Sequence, residues 1–318
     1  MSSFVVVYAG KQLAKYGNEI SEHTAISKIW MGTFLLATIT SLPELVVTAS
    51  SSLIKSPNIA VSDIFGSNFL DIAVIGVLDL VFYKVIRESI FRKLGREHII
   101  TLVAAIFLTM IYILGVYLKP SKTLLNISYV SYILFLLWFY FQKQIFNAQR
   151  KESIERSEKH KDLKMITIWF IIFSVSILIS GIFLSLSAKA LSKAYGISDS
   201  FFGGVAVSAV TSLPEIVVSV EAIMVMSLDM AVGNLIGSAL FNMGLLFIAD
   251  AFYTKDTIIR HIDEKSMMIL SSLFILISAY TLLSIADESK KKYKLNSIVI
   301  VTIYILGLLI LYKNSIRL

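Results

Sequence analysis

The sequence predicts an all-α integral membrane protein: about ten transmembrane helices, the first truncated, forming two inverted five-helix repeats. Three observations carry this expectation. Of 318 residues, 56% are hydrophobic and only 16% charged, with a mean hydropathy of +0.78. That is more apolar surface than an aqueous globule of ordinary design hides. The apolar runs recur near the roughly 20 residues a helix needs to cross about 30 Å of hydrocarbon, and no alternating ten-residue strand pattern competes with them. Finally, the chain repeats itself. TSLPELVV at 40–47 returns as TSLPEIVV at 211–218, and between 40–71 and 211–242, an offset of 171, 12 of 32 positions are identical without a gap.

Taken in order, the spans are expected at 29–54, 59–83, 98–117, 123–141, 165–187, 200–226, 229–252, 265–283 and 295–312, with a shortened helix ahead of them. Copy two has some twenty apolar residues before Ala188, whereas copy one has only 1–8, so its first helix is either a stub or begins at a start assigned too late. Residues 142–164, with Arg150, Lys151, Glu152, Glu155, Arg156, Glu158, Lys159 and Asp162, form a polar linker. The organisation is therefore 1–141 for the first repeat, 142–164 for the linker and 165–318 for the second repeat.

Charge sets the expected orientation. Of 29 Lys and Arg residues, 19 fall in alternate loops that share a side with the linker. Cytoplasmic loops are enriched in these residues, so the linker is expected in the cytoplasm and both termini outside, in a multi-pass protein of the cell membrane. Five spans per copy, an odd number, make the repeats inverted. The net charge of +7 lies in short loops, where anionic lipid rather than nucleic acid explains it. The chain has no cysteine, which excludes disulfides and thiolate metal sites. No cleavable signal peptide is evident, because no basic region precedes the apolar start. No GxSxG, HExxH or phosphate-cradling glycine loop is present, so no enzymatic machinery or bound cofactor is expected.

The repeated motif supplies the chemistry. Proline lacks an N–H, so Pro43 cannot bond the carbonyl of Ile39, nor Pro214 that of Val210. At membrane depth a freed carbonyl persists only where protein, water or an ion satisfies it. Thr40, Ser41, Thr211 and Ser212 add hydroxyls, and Glu44 and Glu215 follow at once. Carboxylate, hydroxyl and carbonyl oxygens are the ligand set of hard cations such as Ca²⁺ and Na⁺. A proline kink with Ser/Thr also packs helices. Two matched glutamates, each costing at least about 3 kcal/mol when unpaired at the midplane, favour a cation path or proton relay. Further along each copy, Ser67 and Asp71, like Ser238 and Asn242, lie four apart on one helix face, with Gly66 and Gly237 permitting close approach. Asp79 and Asp250 also coincide under the offset and read as interfacial residues near span ends. Asp63 and Glu221 read as solvated or loosely paired, and the four histidines show no metal-ligand spacing.

The paired TSLPE segments, followed by GSNFLD at 66–71 and GSALFN at 237–242, resemble the two alpha-repeats of the cation/calcium antiporter superfamily, in its sodium/calcium exchanger branch. The resemblance extends over nearly the whole chain. It implies that Glu44 and Glu215 are shared central ligands for Ca²⁺ and Na⁺. It further implies that Ser41, Ser67, Ser212 and Ser238 complete Na⁺ sites, that Thr40, Thr211, Ala37 and Ser208 give carbonyl oxygens, and that Asp71 and Asn242 fill the central amide or carboxylate positions. The potassium-dependent branch typically carries an acid at the Asn242 position, which here favours K⁺-independent exchange. Three carboxylates match three Na⁺, whereas one Ca²⁺ leaves a charge over unless Asp71 is protonated or otherwise compensated. The expected function is Ca²⁺/Na⁺ antiport by alternating access in a monomer surrounded by lipid. A H⁺/Ca²⁺ antiporter, a passive cation channel and a non-transporting scaffold are the alternatives.

Overall fold

A computed structural model describes residues 2–24, 26–119, 123–150, 163–195, 199–286 and 293–315, and these are nearly all helical. Helix α1 spans Ser2–His23. The motif segment Lys28–Leu53 is built from α2 (Lys28–Trp30), a π-helical turn (Met31–Leu36), α3 (Ala37–Thr40) and α4 (Leu42–Leu53). Then come α5 (Pro57–Ile86), α6 (Arg96–Leu118) and α7 (Tyr129–Arg150). The second copy follows with α8 (Leu163–Tyr195), α9 (Asp199–Phe201), a π turn (Phe202–Val207), α10 (Ser208–Thr211), α11 (Leu213–Met224), α12 (Leu228–Phe252), α13 (Glu264–Ala286) and α14 (Tyr293–Ser315).

Among the described residues six helical segments are long and apolar enough to cross a membrane, and the bent pair Asp199–Thr211 with Leu213–Met224 makes a seventh. Helix α5 carries Asp63, Asp71 and Asp79, all buried. Its 30 residues span about 45 Å. Helices α5 and α12 are buried nearly all round, as expected of helices enclosed by others. They pack on each other, on α4 and α11, and on α13 and α14 or α6 and α7 respectively. The outer helices are apolar in the opposite direction. On α6, Val103, Phe107, Met110 and Leu114 face outward while Leu102, Ala105, Leu108 and Tyr112 are buried. A contiguous exposed apolar belt of this kind suits lipid rather than water.

Two expectations are refined. The span expected at 123–141 begins instead at Tyr129, because 123–128 form a two-stranded hairpin, Thr123–Leu124 against Ile127–Ser128. Leu125 and Asn126 both have positive φ, 53° and 64°, the conformation of a two-residue turn that reverses strands. At its other end α7 runs on through Arg150, so the linker's first nine residues are helical; residues 151–162 lie outside the described residues. Helix α1 is also shorter than its counterpart, 22 residues against 33 in α8.

Asp79 and Asp250, read from sequence as interfacial residues near span ends, are both buried within the protein. Asp79 is fully buried and accepts from the backbone N–H of Ile90 at 2.5 Å and from the Ser297 hydroxyl of α14. Asp250 accepts from the N–H groups of Ser128 and Ile258 at 2.8 and 2.6 Å, and from the Ser131 hydroxyl of α7 at 2.6 Å. Each aspartate thus ties a returning loop and the last helix of the other copy to its own helix end.

Candidate functional site

The two motif segments are broken in the same way. Ser41 (φ −85°, ψ 8°) and Ser212 (φ −78°, ψ 4°) each sit between two helical pieces, with proline in the first turn of the piece that follows. Proline is tolerated there because its missing N–H would have had no helical partner. The break leaves the first turns of α4 and α11, positive ends of short helices, to carry Glu44 and Glu215, a favourable position for a carboxylate. A π-helical turn one step upstream in each copy is a recurrent feature of functional sites.

Glycines let the breaks cross the long helices. A Cβ on Gly66 would land on the Gly204 carbonyl, and one on Gly237 on the Thr33 carbonyl. Positions 33 and 204 are mates under the 171 offset, as are 66 and 237. Each copy's broken segment therefore lies directly against the other copy's long helix.

That crossing brings the expected residues together. Glu44 and Glu215 are fully buried. The Ser41 hydroxyl donates to Glu215 Oε1 at 3.0 Å, and Ser212 reaches Glu44 Oε1 at 3.5 Å. Ser67 reaches Glu44 Oε1 and Ser238 reaches Glu215 Oε1, both at 3.5 Å. Thr40 Oγ1 lies 3.2 Å from Asn234 Oδ1, and Thr211 Oγ1 lies 3.2 Å from Asp63 Oδ1. Every one of these contacts exchanges with its partner under the offset, the pattern that a two-fold relation between copies generates.

Several oxygens are left over. Glu44 Oε2, Glu215 Oε2, both oxygens of Asp71 and Asn242 Oδ1 are buried without a hydrogen-bond partner. Asp71 lies beside Ser212 and within electrostatic range of Glu215, and Glu44 lies within range of Glu215, Asp63 and Asp71. Asn242 is partly committed, donating to Asn68 Oδ1 at 2.9 Å, while Asn68 donates to the Ala239 carbonyl at 3.2 Å. Among the described residues no Lys, Arg or His pairs with these buried carboxylates; ion pairs such as Lys28–Glu22 and Arg92–Glu88 join exposed side chains. Buried negative charge without counter-charge is expensive, and a mobile cation is the partner this geometry accommodates.

The carbonyls behave differently. Ala37 O accepts from Ser41 N at 3.0 Å and lies 3.4 Å from the Thr40 hydroxyl, and Ser208 O accepts from Ser212 N at 2.9 Å and Thr211 Oγ1 at 3.2 Å. Both are engaged within their own turns by the serine N–H, while the single Thr211 hydroxyl hydrogen is shared between Ser208 O and Asp63 Oδ1. Among the described residues no three carboxylate or imidazole side chains converge closely enough for a ready metal cage. The site is an array of mixed carboxylate, hydroxyl and amide oxygens.

Asp63, read from sequence as solvated or loosely paired, is fully buried and belongs to this array; Glu221 is half-buried. The signal for Asp63 was present: 63, 67 and 71 share a helix face, and 63 is the mate of Asn234. Of the histidines, His98 is buried, with Nε2 3.3 Å from the Asp229 carbonyl, and none of the described ones joins the site.

Known proteins resemble this chain in sequence and fold. The chain is 24% identical over 279 residues to the inner membrane protein YrbG of Escherichia coli, covering 86% of this chain and 85% of that one. It is 26% identical over 248 residues to a putative antiporter, CaxA, of Alkalimonas amylolytica, covering 75% and 74%. The fold matches the solved sodium-calcium exchanger NCX_Mj with a TM-score of 0.71 at 22% identity, over 96% of this chain and 95% of that one. The sequence profile of the sodium/calcium exchanger proteins matches residues 1–142 and 165–313. The chain is a multi-pass membrane protein that belongs to the sodium/calcium exchanger protein family.

Proposed function

We propose that this protein exchanges Ca²⁺ for Na⁺ across the cell membrane by alternating access, through ten spans in two inverted five-span repeats, with the 142–164 linker cytoplasmic and both termini outside. Family membership supports cation/Ca²⁺ antiport in general. The observation that carries the site assignment is the reciprocal pair of buried glutamates, each held through one oxygen by a serine of the other copy and each leaving its second oxygen unpartnered. A cation bound there touches both copies at once. Its charge then decides whether the copies can close around it.

In this reading Glu44 and Glu215 serve both cargoes. Asp71 and Asn242 flank them, Ser41, Ser67, Ser212 and Ser238 supply hydroxyl oxygens, and Thr40, Thr211, Ala37 and Ser208 complete the shell with backbone carbonyls. The abundance of hydroxyls favours Na⁺ as the coupling ion over H⁺, because a proton needs one carboxylate whereas Na⁺ needs a shell of oxygens. Ca²⁺ and Na⁺ competing for the same oxygens, with occlusion only when the site is filled, couples the two fluxes.

Uptake of ⁴⁵Ca²⁺ into proteoliposomes under separately imposed Na⁺ and H⁺ gradients tests the proposal. An outward-directed Na⁺ gradient should drive Ca²⁺ accumulation at constant pH. Accumulation driven only by a pH gradient would replace Na⁺ with H⁺, and conduction without any counter-ion would make the protein a channel.

A further inference from the structure

Asp63 sits at a position where the two copies differ in chemistry. In copy two its mate Asn234 closes the structure with its amide hydrogens, donating from Nδ2 to the Glu215 carbonyl at 3.2 Å and to the Ser219 hydroxyl at 3.1 Å. In copy one the corresponding groups are Asp63, the Glu44 carbonyl and Thr48. A carboxylate has no hydrogen to give. Asp63 Oδ2 and Thr48 Oγ1 are both fully buried and both without a hydrogen-bond partner. The other carboxylate oxygen accepts from Thr211 Oγ1 at 3.2 Å, and that hydroxyl lies 3.3 Å from Ser67 Oγ. Asp63 Oδ2 and Thr48 Oγ1 therefore stand, unpartnered, at the positions where copy two pairs Asn234 Nδ2 with the Ser219 hydroxyl.

We propose that Asp63, with Thr48 and Thr211, forms a separate subsite for a monovalent metal cation, Na⁺ in the first instance, which takes the place of the Asn234 amide hydrogens of copy two. The subsite lies on the Asp63 side of the α4–α5 contact, one helical turn from Ser67. It gives copy one an ion that copy two does not bind. The reasoning rests on the proposed cation-exchange role of the surrounding array, but the subsite is a binding property and needs no transport to be seen.

The test is the saturable binding of ²²Na⁺ to the purified full-length protein in detergent. Asp63→Asn copies the wiring of copy two and is expected to fold, to bind one Na⁺ fewer per chain at saturation than wild type, and to be more thermally stable than wild type in Na⁺-free choline buffer. Thr48→Val keeps the shape and removes one oxygen, and should raise the Na⁺ concentration for half-saturation of one site about fivefold. Equal Na⁺ capacity in Asp63→Asn and wild type overturns the subsite, including the case in which a proton neutralises Asp63. If Asp63→Asn does not fold, an unchanged half-saturation in Thr48→Val overturns it. Loss of Na⁺-driven Ca²⁺ flux in wild type would sink the exchange reading and leave this binding result standing.

Discussion

The two copies share one geometry and differ in charge. Copy one places Glu44, Asp63 and Asp71 at the crossing, whereas copy two places Glu215 with Asn234 and Asn242 at the matching positions. Backbone features repeat closely: proline after the break, a π turn before it, and left-handed residues Lys55 and Met226 (φ 62° and 57°) closing the turns into the long helices. The repeat preserves the scaffold, and the charge differs between the copies. The lesson is that local packing demands hold the backbone alike in both copies, while the buried polar side chains at matching positions differ in charge and in hydrogen-bonding capacity.

The glutamates are where the copies are expected to behave alike, and the effect is the largest. Glu44→Gln and Glu215→Gln keep the side-chain volume and remove the charge, so each should reduce Na⁺-driven ⁴⁵Ca²⁺ flux by more than about a hundredfold, on the order of 3 kcal/mol, with monodisperse, folded protein. Robust flux in either variant would break the symmetry and remove that residue from the site.

Packing at the crossing should also be symmetric. Gly66→Ala and Gly237→Ala each drive a methyl group into a backbone carbonyl of the other copy, an overpacking expected to cost about 1–3 kcal/mol, read as lower thermal stability in detergent for both. A marked effect at only one would show that the two crossings are not equivalent.

Charge is where the copies should part. Asp71→Asn makes copy one resemble copy two at this position and leaves both glutamates in place, so Ca²⁺ exchange should persist within about tenfold of wild type, near 1.4 kcal/mol. Elimination of flux as complete as in Glu44→Gln would make Asp71 an obligatory ligand.

Much of this was legible in the sequence because apolar length and an ungapped repeat are strong signals. The long helices and the proline breaks follow from them, and the gathering of Glu44, Glu215, Ser41, Ser67, Ser212 and Ser238 is what the resemblance to the antiporter repeats implied. What escaped was set by tertiary contact. Asp79 and Asp250 lie near span ends and so read as interfacial, a reading that left out the returning turns at Ile90–Lys93 and Ile258–Arg260, which supply them with N–H donors. Asp63 lies six residues after Pro57, in what looks like an interfacial first turn or two, and only the long crossing of α5 by the second copy buries it. The hairpin at 123–128 escaped because Leu125 is an unusual residue for positive φ.

The smallest expected effect compares two hydroxyls at matching positions. Ser219 donates to the Ala231 carbonyl at 3.0 Å and accepts from Asn234 at 3.1 Å, whereas the hydroxyl of its mate, Thr48, is buried without a partner. Removing one side of a satisfied buried hydrogen bond strands the other, at about 1–3 kcal/mol, whereas removing an unsatisfied buried hydroxyl is nearly neutral or stabilising. In buffer free of Na⁺ and Ca²⁺, Ser219→Ala should therefore lower the unfolding temperature, and Thr48→Val should leave it unchanged or raise it slightly. The absence of ions matters, because a cation bound beside Asp63 would supply Thr48 with the partner it lacks. Equal destabilisation by both variants under those conditions would mean that the Thr48 hydroxyl is already satisfied, and that the two copies are wired alike after all.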